Sequence, residues 1–236
     1  MKYLGSFCLF ACVALLVQPL AFSATPKSHT VVLGAAKSVH YSKEGDPAGN
    51  AAGDDTLKIR ALLVDGTLKE WTTGDAHDVT DRSFVVRRAI RLNDDLPGDK
   101  QTQWVWQRGP WIMIDRVTGR ITALKLPDYD PGVSQVEWFR DYGAYCGITS
   151  TGKSLYAVVA QIAARRPVLA KKLSAWDAED HDSPACAQAE WQRDPMRVTF
   201  HPAGRSAVSF DVVPGSAVLV EDSDDDADTP DTALTK

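Results

Sequence analysis

Between Leu57 and Val220 the apolar residues come in short runs, mostly with a period of two, separated by Gly, Pro, Asn and Asp, and long helical periods are nearly absent. Successive strand residues point to opposite faces, so a chain written this way buries its apolar side chains on sheets. The expected fold is mainly β, with antiparallel sheets, sandwich-like in form, and little helix. Leu57, Ile59, Ala61 and Leu63 alternate with Lys58, Arg60 and Leu62, as a half-buried strand does. Asp65-Gly66 supplies a tight hairpin turn, after which Thr67 to Trp71 returns. Phe84, Val86, Ile90 and Leu92 share one face of the next strand, with Arg87 and Arg91 opposite. Arg88 falls on the apolar face, so it either pairs with a carboxylate or marks a bulge. Leu155 to Ile162 is apolar on both faces and reads as a central strand. Residues 159–173 are ambiguous between strand and helix.

The ends of the chain are of a different character. Met1-Lys2 gives a short positive start, Tyr3 to Phe22 carries no charge and is almost wholly apolar, and small residues follow at Ala21, Ser23 and Ala24. That order is that of a secretory signal, cleaved after Ser23 or Ala24. An uncleaved anchor is the rival reading. Residues 25–56 read as a short strand from Val31 followed by a flexible loop, and 57–220 as one β-rich domain. Residues 221–236 carry seven acids and almost no apolar residues, which reads as a disordered acidic tail. Without the leader and the tail, 24 basic and 24 acidic residues remain, so no basic field is offered to nucleic acid or to anionic lipid. Loss of the leader also removes Cys8 and Cys12. The two remaining cysteines, Cys146 and Cys186, read as a disulfide in an exported, oxidising (periplasmic or secreted) setting.

Three stretches share a form. Trp111-Ile-Met-Ile-Asp-Arg-Val-Thr-Gly-Arg-Ile-Thr-Ala-Leu is an apolar strand ending in Asp, then Thr-Gly, then a second strand. Ile148-Thr-Ser-Thr-Gly-Lys-Ser-Leu-Tyr-Ala-Val-Val and Val198-Thr-Phe-His-Pro-Ala-Gly-Arg-Ser-Ala-Val-Ser-Phe repeat the plan. These hairpins resemble β-propeller blades and cover about half of the mature chain. The resemblance implies a binding or interaction role. Three hairpins are too few for a closed ring of about four to eight blades, so a sandwich, an open sheet or assembly from several chains fits as well.

Four sets of residues are candidates for chemistry. Gly147-Ile-Thr-Ser-Thr-Gly152-Lys153-Ser154 satisfies the phosphate-loop pattern, in which backbone N–H groups and a lysine surround phosphates at the start of a helix. Leu155-Tyr-Ala-Val-Val favours a strand there, so a hairpin turn with an exposed Lys153 is the expectation, and a nucleotide-binding enzyme the alternative. Asp75, His77, Asp78 and Asp81 gather oxygen and nitrogen ligands that could hold a metal, but Asp and Thr also stabilise turns, and turn structure is the stronger reading. The segment Asp177 to Asp182, with His181, has the same two readings. Trp104, Trp106, Trp111 and Trp138 either fill the core or stack on a ligand, and core packing is the stronger reading. No Gly-x-Ser-x-Gly and no His-Glu-x-x-His occurs, and no catalytic set of residues is apparent, which leaves a hydrolase with an unrecognised site as a further alternative. The sequence therefore points to a binding or interaction module without a cofactor, whose partner is a protein, peptide or glycan.

Overall fold

The computed structural model describes residues 28–41, 56–98, 100–102, 104–131, 133–176 and 186–220. The expected signal segment, the loop at 42–55, the segment around His181 and the acidic tail lie outside the described residues. The described chain is mainly β, with fifteen strands in three antiparallel sheets and no helix.

The first sheet has seven strands: β1 (Val31–Leu33), β2 (Lys37–His40), β3 (Thr56–Val64), β4 (Thr67–Asp78), β5 (Ser83–Asn93), β6 (Trp104–Asp115) and β7 (Ile121–Ala123). β1 and β2 lie end to end along one side of β3, and β4 to β7 follow on the other side in chain order. The sheet does not close, but it curls until its two edges meet. Tyr41, just after β2, bridges Trp106 on β6, and the His29 N–H donates to the Val117 carbonyl at 3.0 Å. Curling gives the sheet two separate cores. Leu57 and Ile59 pack with Tyr41 and Ala89, whereas Leu62 packs with Phe84, Val86, Ile112 and Ile114. The expected single face of β3 is thereby corrected. Its buried positions change face midway, and Leu62 rather than Leu63 is fully buried. On β5, Phe84 and Val86 are buried but Leu92 is exposed, because the strand runs beyond the core. Arg88 meets both of its alternatives: it sits at a register break and pairs with Glu70 at 2.6 Å.

The other two sheets are four-stranded meanders. One comprises β8 (Glu137–Phe139), β9 (Tyr142–Ile148), β10 (Ser154–Gln161) and β11 (Leu169–Ala175), which settles the ambiguous 159–173 as strand, turn and strand. The other comprises β12 (Cys186–Gln192), β13 (Arg197–Pro202), β14 (Val208–Val213) and β15 (Ser216–Leu219). All three blade-like stretches form hairpins, β6–β7, β9–β10 and β13–β14. The meanders face each other across the largest core, where Ala144, Leu155 and Val159 meet Val198, Phe200 and Phe210. The opposite face of the first meander, through Tyr145 and Val158, packs toward Trp111, Leu126 and Tyr129. β9 and β10 thus form a middle layer buried on both faces, as the doubly apolar run from Leu155 requires. Cys146 and Cys186 are bonded, with Cα atoms 6.2 Å apart, and staple β9 to β12.

Candidate functional site

A cleft of about 450 Å³ opens where the first sheet meets the meanders. Two adjacent register breaks form one wall. In the β4–β5 pair, Thr73 faces Arg87 but the next partners are His77 and Val85, so residues 74–76 bulge opposite Val86. In the β5–β6 pair, Arg87 faces Trp111 but the next partners are Ala89 and Arg108, so Gly109-Pro110 bulges opposite Arg88. A bulge re-aims the side chains beside it. Here Thr73, Gly74, Arg87, Arg108 and Trp111 all line the cleft. Proline has no N–H to give to a ladder, which suits Pro110 to its bulge. Gly109 is required by contact: a Cβ there would lie 2.7 Å from the Ile90 side chain.

Arg87 is central to this wall and is only 9% exposed. Its Nε donates to the Gly109 carbonyl at 3.0 Å and a terminal nitrogen to the Pro131 carbonyl at 3.1 Å. The segment that brings Pro131 is itself fastened to the middle layer. Tyr145 donates its hydroxyl to the Pro127 carbonyl at 2.6 Å, Ile148 N–H donates to the Asp128 carbonyl at 2.9 Å, and Ser134 donates to the Cys146 carbonyl at 2.7 Å. Burial raises the Tyr145 hydroxyl above its ordinary pKa, so it stays a donor. The same segment continues into Gln135 and Val136, which line the cleft, with Lys58 on β3 and Gln188 on β12. Lys58 lends its carbonyl to the Thr73 hydroxyl at 2.9 Å. Arg108 lies over the Tyr41 ring, 5.7 Å from its centroid. The Gln188 amide donates to the Glu137 carboxylate. Among the described residues, the cationic side chains that line the cleft are Lys58, Arg87 and Arg108.

The four tryptophans do not form one platform. Trp111 lines the cleft and meets Trp138 edge to face at 5.3 Å, with His77 stacked beyond at 6.2 Å. Trp106 packs on Trp71 at 5.8 Å. Trp104 is 47% exposed at the far end of the hairpin, beneath the Arg91 guanidinium at 4.8 Å. Asp75, His77, Asp78 and Asp81 do not converge either. His77 bonds the Arg140 carbonyl at 2.8 Å, Asp78 pairs with Arg116 at 2.6 Å, and no group of three potential metal ligands occurs among the described residues.

The phosphate-loop match is a hairpin. β9 ends at Ile148, Gly152 donates to the Thr149 carbonyl at 2.8 Å to close the turn, and Ser154 begins a strand. Lys153 is exposed. Gly147 serves the cleft in another way. A Cβ there would lie 2.6 Å from the Asp128 carbonyl oxygen, so the glycine admits the segment that carries Pro131. Sequence reasoning missed Lys58, Arg87, Arg108, Gln135 and Gln188. The readable signals were Gly109-Pro110 inside a strand and the misfit of Arg88. No family model, curated protein or solved structure matches the chain.

Proposed function

We propose that the mature chain is an exported binding module and that the cleft between its sheets holds the ligand. The observation that carries this reading is the meeting of two register breaks at Arg87, which turns a sheet wall into a lined cavity. A cleft of this volume falls within the usual range for small-ligand sites, and Trp111 with polar side chains around it matches their usual make-up. The leader-like residues 1–24 and the Cys146–Cys186 bond support export. The two meanders have the consecutive strand order of propeller blades, a form suited to presenting a binding surface. The test is a titration of the ¹⁵N-labelled mature protein with pools of short glycans and short peptides. At least one pool is expected to shift the amides of Thr73, Gly74 and Arg108 saturably. Silence at these amides with every pool at millimolar concentration, or shifts confined elsewhere, overturns the reading.

A further inference from the structure

We propose that the ligand of this cleft is a peptide in extended form, held by its backbone as a strand added to β12; this rests on the reading of the cleft as the binding site. β12 is an edge strand, paired with β13 alone, and its Gln188 lines the cleft. Among the described residues, no backbone hydrogen bond reaches β12 from its other side. Such an edge is a row of N–H and C=O groups, and an extended peptide carries the matching row. β12 also bulges beside the cleft. Ala187 faces His201 and the next partners are Glu190 and Thr199, so Gln188 and Ala189 together oppose Phe200. A bulge disrupts the ladder locally and leaves its extra residue unpaired. The neighbouring edge strand, β8, is less suited. It is three residues long, and its Glu137 carbonyl already accepts from the Trp191 indole at 3.0 Å.

The first sheet offers backbone to the same cleft. Gly74 lines it, lies in the β4–β5 bulge and has no register partner on β5. Its φ of 73° suits glycine, and a Cβ there would meet nothing within 4 Å, so its backbone stands open. Bulged backbone from two sheets thus lines one cleft, and a second backbone is its natural complement. An extended peptide repeats its N–H and C=O groups about every 3.3 Å, the repeat of the strand it joins, whereas a glycan has no such row. Leu57, Trp111 and Val136 add apolar lining, which gives a side chain of the added strand a place to sit.

The experiment titrates the labelled mature protein, disulfide intact, with three probes. The first is a pool of capped tetrapeptides, acetyl-Val-X-Val-X-amide with X any residue. The second is the same pool N-methylated at all four residues, which keeps the side chains and removes the N–H donors. The third is maltotriose, an uncharged glycan. The first pool is expected to shift the amides of Gly74 and of Ala187 to Glu190 saturably and to slow amide exchange along β12. The methylated pool is expected to bind about tenfold more weakly or worse, since it cannot complete a ladder. A methylated pool that binds as well as the first overturns strand addition and leaves the binding-module reading standing. Shifts centred on the edge strands β11 or β15 overturn the assignment to β12. Maltotriose binding as well as the peptide pool overturns the peptide class. Silence with all three probes at millimolar concentration overturns this inference, and the module reading falls with it only if the wider glycan and peptide pools are silent too.

Discussion

Arg87 shows how one side chain can be read in opposite ways. Alternation along β5 assigns it to the outward face, yet it is buried and donates to the carbonyls of Gly109 and Pro131. Arg87→Met keeps the apolar stem and removes the donors. Two carbonyls then lose their partner, and the expected loss is about 1–3 kcal/mol, read as a lower urea midpoint. A loss under about 0.5 kcal/mol, typical of a plain surface arginine, would show that the two bonds hold nothing. Asp115 carries a residue-scale prediction about acid. Its carboxylate accepts first from Arg82, at 2.9 Å, and then from the Thr118 and Val117 N–H groups of its turn, and these bonds lower its pKa to about 2. A carboxyl whose folded pKa is depressed stabilises the fold above its unfolded value of about 3.9 and loses that contribution as pH falls toward the folded value. Between about pH 4 and pH 2, Asp115→Asn should therefore unfold with a shallower pH dependence than the parent chain. Parallel curves would place the acid sensitivity elsewhere.

At the scale of elements, what could be read from sequence divides by whether the cause is local. The Asp65-Gly66 turn, with φ of 52° and 75°, and the Asp115–Gly119 turn are set by their own residues, so each was legible. β10 was legible because eight residues in a row suit a strand and both faces are apolar. Its turn carries a matching prediction. Lys153 is exposed and its carbonyl, which any residue supplies, accepts from Trp176 at 3.0 Å. Lys153→Ala is expected to leave the melting temperature within about a degree or two and to abolish no ATP binding, since a helix N-terminus that could hold phosphate is absent there. Millimolar ATP binding lost in the variant would reinstate the phosphate-loop reading. The β5–β6 break was legible in part, from the misfit of Arg88, but the β4–β5 break was not, because a bulge is a relation between two strands and only one is seen at a time. Gly109 is where that relation becomes steric. Gly109→Ala would press a methyl group against Ile90 and the Arg88 carbonyl, and is expected to destabilise by about 1–3 kcal/mol and to disturb the Arg87 and Arg108 amides together. A neutral substitution would mean that the bulge yields freely and does not fix the cleft wall.

The whole molecule is layered, and its middle layer explains why the mainly β reading and the cysteine pair were legible while the cleft was not. Apolar period and cysteine count are properties of one chain segment or of composition. The cleft instead takes lining from two of the sheets and from the segment between them: Lys58 on β3, Trp111 on β6 and Gln188 on β12, with Val136 just ahead of β8. Residues that far apart in sequence carry no shared pattern. The backbone of the third sheet comes nearest the second at β8 and β9, and its side chains pack on β10 as well. It is held by the core around Phe200 and Phe210, by the Trp191 indole bonded to the Glu137 carbonyl at 3.0 Å, and by the Cys146–Cys186 bond. That bond closes a loop across a sequence separation of 40, for which the chain-entropy account gives about 4 kcal/mol. Replacing both cysteines with alanine should lower unfolding free energy by about that amount, since both sites are buried and alanine leaves no unpaired polar group. The loss should also be uneven. Amide exchange in β12–β15 should speed up more than in β3–β6, because the bond joins the meanders and touches no strand of the first sheet. Gln188 lies two residues from Cys186, so any ligand of the cleft should also bind the double variant more weakly. Equal acceleration in all three sheets would show one cooperative unit, with the bond acting only through the unfolded chain; unchanged stability would show that the layered core holds the third sheet without it.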